Sequence, residues 1–534
     1  MNNKQKALYS IFIGIAIVLG IAIGSILHFD QQTELSLKPT EKDKIDNLLR
    51  YIKEEYVDTV PTDSIVDIVI KDILQNLDPH SVYIPKQEVA HADEELDGEF
   101  TGIGVLFQKY RDTFTVIRPL PNSPAQAAGL HRMDRILTVN NDTLFGHNVD
   151  IDKLSEQIKG KTGTEVKLTV YRKTADSIFE IRIKRSKIPL ISVPAHFMVN
   201  DTLGFIKLST FSADTYDEFH KAVINLKKQG MQTLILDLRN NTGGLLQQAD
   251  LIADEFLPNG KLIFFTKDQK GNIKKVTATA RGDFEQGNIF VLINENSASA
   301  SEIVAGALQD NDMATIVGRR SYGKGLVQRE IQLGDGSKVR LTTARYYTPT
   351  GRSIQKPYQK GHRQEYEQAF KNRQYNGELY YKDSIPINDS LKYTTPKGKI
   401  VYGGGGIIPD IFVPLNPDKY LYEYGYMNRF LSNFITDYLD EHLTELENYT
   451  PEGFISDSLI VDKLYENFKQ KHKGFGTRKP QHKNSHAPAQ LKRLMKALLG
   501  RDLFGDNVYY QILIPDDPMV QKILNTEKEK KNEE

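Results

Sequence analysis

Three serines at alternate positions, Ser297, Ser299 and Ser301, stand in the run NENSASASEIVAGALQDND, and a lysine between two glycines, Lys324, follows in YGKG. A serine hydroxyl attacks a carbonyl only when a base takes its proton, and no histidine lies between His220 and His362. The base candidate is therefore Lys324. Lysine is a base only when neutral, so the fold must bury it and lower its pKa from the usual value of about 10.4. Gln328, four residues on, can hold the amine by a hydrogen bond, whereas an acid there would keep it protonated. This is the equipment of nucleophilic catalysis.

Such groups need elements to position them. Ile289 to Ile293 (IFVLI) is short, apolar and partly β-branched, which predicts a buried strand. After the serines, Ile303, Ala307 and Leu308 recur at helical spacing, so the serines fall at a strand-to-helix turn. Ala298 and Ala300 are small enough to admit a substrate backbone, and a helix start offers unpaired N–H groups to an oxyanion. A second buried strand, Thr233 to Leu238 (TLILDL), runs into RNNTGGLL, where Gly243 and Gly244 would expose further backbone N–H groups. Leu203 to Leu208 predicts another strand, Asp217 to Lys228 and Leu245 to Phe256 predict helices, and Lys338 to Tyr347 alternates as a strand does. Asp237 and Arg239 read as a structural pair beside the glycine turn.

The serine–lysine stretch resembles the active site of the C-terminal processing peptidases, or tail-specific proteases, which are serine peptidases with a Ser/Lys dyad. The resemblance makes the middle serine, Ser299, the nucleophile, Lys324, 25 residues on, the base, and Gln328 the residue that orients it. It assigns the oxyanion hole to the N–H of Ala300 and of one glycine of the pair, and the sequence does not choose between Gly243 and Gly244. Taken singly, each residue has a plainer reading: Ser301 as a helix N-cap, Lys324 as a solvated loop lysine. The joint spacing is not explained that way.

The same resemblance extends along the chain. Gly102, Ile103, Gly104 and Val105 (GIGV), SPAQAAGL at Ser123 to Leu130 and DRILTVN at Asp134 to Asn140 resemble a PDZ domain, whose glycine loop takes a chain-terminal carboxylate and whose strand edge pairs with an extended peptide. One departure is visible: after the AGL turn the family has Gly-Asp, and this chain has Met133-Asp134. LDPHSVYIP, Leu77 to Pro85, is a family segment in which His80 is expected to be packed, with no chemistry of its own. The match runs from about Ile45 through GGGGIIPD to Pro414 and implies a crotonase-like α/β (α+β) catalytic domain with an inserted PDZ domain acting as a mobile lid. Outside it, hydropathy and helical patterning add an N-terminal transmembrane helix and a mainly helical C-terminal extension to the expected fold.

The 534 residues are 39% hydrophobic, enough for about three domains. Lys+Arg and Asp+Glu are both 69, so no global field selects nucleic acid as a partner. With no cysteine, disulfides and thiol chemistry are excluded. Ala7 to Phe29 is an uncharged apolar run behind Lys4 and Lys6, which predicts an uncleaved membrane anchor with the remainder in the periplasm or another extracytoplasmic space. Residues 40 to 76 predict two helices with Ile45, Leu48, Leu49 and Ile52 on one apolar face and Ile65, Ile68, Ile70 and Leu74 on the other. Beyond Leu415, helices are expected over Tyr420 to Leu446, Ile460 to Gln470 and Gln490 to Leu499, with a solvated basic linker and a disordered tail, EKEKKNEE.

The expected divisions are 1–29 membrane anchor, 30–85 helical segment, 86–185 PDZ domain, 186–414 catalytic domain and 415–534 extension, which could serve packing or oligomer contacts. The expected function is a membrane-anchored serine endopeptidase that captures protein substrates by their C-termini and cuts near them, with no metal or cofactor required. The alternative is a non-catalytic PDZ-bearing scaffold on the same fold.

Overall fold

A computed structural model describes residues 12–23, 41–146, 151–415, 419–472 and 487–533. The chain divides into two units, Met1–Asp72 and Ile73–Glu534.

In the first unit residues 12–23 are helical. At 1.5 Å per residue that helix is about 18 Å long, against the roughly 30 Å of a bilayer core. Among the described residues no helix is long and apolar enough to cross a membrane. The anchor expected over Ala7 to Phe29 is thus not supported there, and the ends of that run lie outside the described residues. The two amphipathic helices follow as Glu41–Glu55 and Thr62–Gln75. On their apolar faces Ile45, Leu48 and Ile68 are exposed at 46%, 59% and 58%, Leu49, Ile52, Ile65 and Ile70 are half-buried and Leu74 is buried.

The peptidase part of the second unit is built on a six-stranded sheet: β1 (Ala195–Met198), β2 (Leu203–Lys207), β3 (Thr233–Asp237), β4 (Asn288–Ile293), β5 (Thr315–Gly318) and β6 (Ile411–Phe412), in that order. β1 is antiparallel to β2, and every later neighbour is parallel. Strands β2 and β3 are buried throughout, which is why they read as apolar runs without alternation. Three helices, α1 (Thr215–Lys228), α2 (Leu246–Asp254) and α3 (Ala300–Asp310), pack their apolar residues on the sheet in one core with Leu236 and Val291. Parallel neighbours deliver the loops after β3 and β4 to the same edge, where open α/β sheets place their sites. Those loops carry the Gly-Gly turn and the serines.

A second, antiparallel sheet joins Val82–Ile84, Lys338–Tyr347, Leu262–Asp268 and Ile273–Thr277, with Leu326–Gln332 paired to Lys338–Tyr347. The strand Leu326–Gln332 carries Gln328 and begins two residues after Lys324. The PDZ-like part is a separate sheet, ordered Val105–Tyr110, Thr113–Pro119, Arg135–Val139, Glu165–Arg172 and Ser177–Lys184, around its own core of Phe114, Ile136, Leu154 and Val166. The chain enters and leaves it through one antiparallel pair, Glu99–Gly102 with Ser186–Pro189.

The extension is helical: Lys419–Leu446, Pro451–Ser456, Leu459–Lys471, Ala487–Phe504, Asp506–Leu513 and Pro518–Glu533. It packs on its own chain. Most of the basic linker, 473–486, lies outside the described residues. The tail corrects the expectation of disorder, since Pro518–Glu533 is one helix. Met519, Val520 and Ile523 bury its start against the β-sheet, and the Lys and Glu that follow are good helix formers that propagate the nucleated turn.

Candidate active site

The turn between β4 and α3 disposes of its three serines differently. Ser297 Oγ donates to the Leu238 carbonyl (2.8 Å), and Ser301 Oγ donates to the Asn241 carbonyl (2.9 Å), both buried. Ser299, half-buried, is the one left facing the cleft. It is also the N-cap of α3, which corrects the expectation for Ser301, a residue already inside the first turn. Ser299 is held at φ 54°, ψ −114°. A non-glycine residue in that conformation is strained by about 1–3 kcal/mol and persists only where the surroundings dictate it.

The surroundings can be named. Ala298 N–H donates to the Asn241 carbonyl (3.0 Å), and Asn240 and Asn294 exchange two hydrogen bonds, so the loops after β3 and β4 are laced together. Asn241 Oδ1 accepts the N–H of Gly243 (2.9 Å). The N–H groups of Gly244 and Ala300 have no acceptor among the described residues. The glycines are required by space: a Cβ on Gly243 would stand 2.8 Å from Ser299 Cβ and 3.0 Å from Ala300 N, and one on Gly244 would stand 2.2 Å from the Phe211 carbonyl oxygen. Gly243→Ala is therefore expected to push Ser299 out of place and cut kcat by roughly 10²-fold, a loss of the size a misplacement of about 1 Å produces. Steady-state kinetics on a peptide reads this; an unchanged kcat would show that the contact is slack.

Lys324 lies on the same cleft, partly buried. Its Nζ donates to Gln328 Oε1 (2.9 Å). The other end of that amide, Nε2, donates to the His80 carbonyl, which fixes the amide so that its oxygen faces the amine. Burial lowers the pKa of Lys324, Arg340 adds to the lowering, and Glu302 and Asp78 oppose it. His80 itself is packed, as expected: Nε2 meets Tyr366 Oη at 3.0 Å, and burial together with the Lys324 charge pushes the imidazole down to about 4. Its carbonyl, held by the Asp78 turn, was missed as an orienting group.

Glu302 was also missed. Fully buried, it takes Ser321 Oγ–H (2.5 Å) and Gly323 N–H (2.7 Å) on one oxygen, and Ser299 N–H and Lys324 N–H (2.9 Å each) on the other. Ser321 Oγ accepts the Ile407 N–H and donates to Glu302 Oε1. All four groups donate, which is the environment of a carboxylate, although burial pushes its pKa up. One side chain thus ties the backbone of Ser299 to that of Lys324. The signal was legible: Ser299-Ala-Ser-Glu302 is the S-x-x-E spacing of a capping box.

Ser299, Ala300, Gly243, Gly244, Lys324 and Gln328 all line one cleft of about 580 Å³, whose wall includes Glu95 and Leu96. Gly102 to Val105 lie apart from it, running from the end of the two-strand neck into the first strand of the PDZ-like sheet. There Gly104 (φ 72°) approaches Ser123 so closely that a Cβ would come within 2.4 Å of it. Asp237 and Arg239 pair as expected, with Arg239 Nη2 2.7 Å from the carboxylate.

The family model of Peptidase family S41 matches residues 202–362, and that of the PDZ domain matches residues 101–183. The chain is 33% identical over 361 residues to the "Probable CtpA-like serine protease" of Staphylococcus aureus (strain N315), covering 66% of this chain and 71% of that one. It belongs to the S41 peptidase family. Over 372 residues it is 32% identical to the "Carboxy-terminal processing protease CtpB" of Bacillus subtilis (strain 168), covering 67% of this chain and 76% of the relative. A solved "photosystem II D1 C-terminal processing protease" is similar with a TM-score of 0.37 and 24% identity, over 70% of this chain and 87% of that one. As an S41 member the chain is a serine peptidase with a PDZ domain. Residues 421–505 match a further family, of unknown function.

Proposed function

We propose that this S41 peptidase is an endopeptidase that captures a protein C-terminus on its PDZ domain and cleaves near that end with a Ser299/Lys324 dyad. The observation that carries the reading is the common cleft: a strained, half-buried Ser299 whose sister serines are both consumed, and a desolvated lysine held by an uncharged amide. Ser299 Oγ adds to the scissile carbonyl carbon as its proton passes to neutral Lys324 Nζ. The resulting oxyanion is held by the N–H groups of Ala300 and Gly244, since the Gly243 N–H is engaged by Asn241. The ammonium then gives its proton to the leaving amine as the C–N bond breaks. Water, deprotonated by the same amine, releases the acyl group and restores Ser299.

The base sets the pH dependence. Raising pH removes the proton from Lys324, so kcat/KM climbs with pH, and the lowered pKa brings this limb below the range of a solvated lysine. Gln328→Glu places a carboxylate against the amine, stabilises the ammonium and moves the limb to higher pH. An opposite charge at this range is worth about 1–3 pKa units, so activity on the acidic side of the limb falls roughly 10- to 10³-fold. A pH–rate profile that is flat, or that Gln328→Glu leaves in place, excludes Lys324 as base.

The uncharged run 7–29 behind Lys4 and Lys6 supports a catalytic part held at the outer side of a membrane. Protease protection of the full chain in sealed vesicles tests this, and a catalytic part on the cytoplasmic side rules it out.

A further inference from the structure

We propose that the C-terminal helical extension is a bracket that holds the PDZ domain in register with the peptidase. Its two sides differ in kind. Toward the peptidase it is apolar: Ile514, Met519, Val520 and Ile523 share a buried cluster with Phe205 and Leu292 of the sheet. Asp517 adds a bond to Arg239 Nη1 (2.6 Å), and Asn507 Oδ1 accepts the His196 N–H (3.0 Å). The burial of these apolar side chains makes this face the permanent one.

Toward the PDZ domain the contact is one plug in an ionic seam. Met133, 3% exposed, inserts into the core of the extension beside Leu439 and Leu443. It does so from φ 63°, a left-handed conformation that suits glycine and strains methionine. The residue before it, Arg132, donates to the carbonyls of Asp502 and Leu503 (3.0 Å each) at the end of a helix. Around the plug, Asp437 takes Arg111 (3.0 Å) and the Tyr110 hydroxyl, and Asp440 takes Lys173 (2.8 Å) and Arg135 (3.5 Å). A side chain unsuited to its own turn, packed into another domain, is placed for docking.

Without the extension, the PDZ domain hangs on the two-strand neck, Glu99–Gly102 and Ser186–Pro189. Its position also reaches the cleft: Lys159 Nζ bonds Glu94 (2.6 Å), and the next residues, Glu95 and Leu96, line the cleft wall. Holding the PDZ domain therefore sets where a captured C-terminus is delivered. That last step rests on the reading of the PDZ domain as a C-terminus binder.

The chain has no cysteine, so Ile178→Cys on the PDZ sheet and Gln229→Cys after α1, both exposed positions, can carry spin labels in the full chain. The labelled chain should show one narrow distance distribution. Met133→Gly, which relieves the turn while removing the plug, and Asp437→Lys/Asp440→Lys, which reverses the seam, should each broaden it. Both should lower kcat/KM about tenfold for a peptide with a free C-terminus and leave its C-terminal amide unchanged. Asp437→Arg with Arg111→Asp should keep the narrow distribution. An unchanged distribution in both disruptive variants overturns the bracket, and a broadened one with unaltered kinetics overturns its role in delivery. If the parent chain cleaves free and amidated peptides equally, the C-terminus reading fails, while the distances still decide the bracket.

Discussion

Ser299→Ala is expected to lower kcat by at least about 10⁴-fold, and Lys324→Ala by the same order, with the double variant no worse than either. In the proposed mechanism the two groups act as one device, so removing the second partner takes nothing further away. The neighbouring serines supply the control, because chemistry and stability should separate along one short loop. Ser297 and Ser301 each donate to a buried carbonyl that keeps a second donor, the Asn241 N–H on Leu238 and the Ala298 N–H on Asn241. Ser301→Ala therefore costs one hydrogen bond, about 0.5–1.5 kcal/mol, while Ser297→Ala also strands the Asn294 N–H at about 1–3 kcal/mol. Those variants should melt earlier and still cleave, whereas Ser299→Ala should melt with the parent and not cleave. Among the described residues no acceptor takes the Ser299 hydroxyl proton, so its loss strands nothing. Measured peptidase activity in Ser299→Ala, or its loss in Ser297→Ala at a temperature where that variant is folded, would move the nucleophile elsewhere.

Why the sequence revealed some of this and hid the rest follows from what each group uses. In the proposed site Ser299, Lys324, Gln328 and the glycine pair serve through side chains, or through the lack of one, and such requirements leave a residue type at a fixed spacing. The strands that position them are buried on both faces and read as plain apolar runs. Two of the groups that went unnoticed work through the main chain, the His80 carbonyl that turns Gln328 and the Asn241 carbonyl that fixes the serine loop, whereas Glu302 and the Asn241 side-chain amide that engages Gly243 do not. A backbone carbonyl belongs to every residue type, so composition cannot mark it. The proposed assignment of Gly244 over Gly243 rests on the Asn241 side chain, whose turn back onto the Gly243 N–H is set by loop geometry that spacing does not reveal. The PDZ departure at Met133 was visible as a residue but not as a contact, because its partners lie about 300 residues further along the chain. Patterning erred where it used only local hydropathy, as in the charged tail that a packed turn makes helical.

Glu302→Ala should be the most damaging single change to stability. The side chain is fully buried and four donors converge on it, three of them backbone N–H groups that have no rotamer with which to find another acceptor. Removing it leaves these unsatisfied in a dry site, a loss on the order of 3–5 kcal/mol, or a fall in melting temperature of roughly 10 °C. The isosteric Glu302→Gln should do nearly as badly. Whichever way the amide turns, its NH₂ faces two donors, either Ser321 Oγ and the Gly323 N–H or the N–H groups of Ser299 and Lys324. Activity should fall roughly 10²-fold even below the melting transition, because the carboxylate sets the distance between the loop of Ser299 and the loop of Lys324. Since the residue touches neither amine nor hydroxyl, the pH limb should stay where Lys324 puts it, apart from a small downward shift as the favourable charge of Glu302 is lost. A Glu302→Gln chain with the melting temperature and kcat of the parent would mean that the two loops hold each other without it.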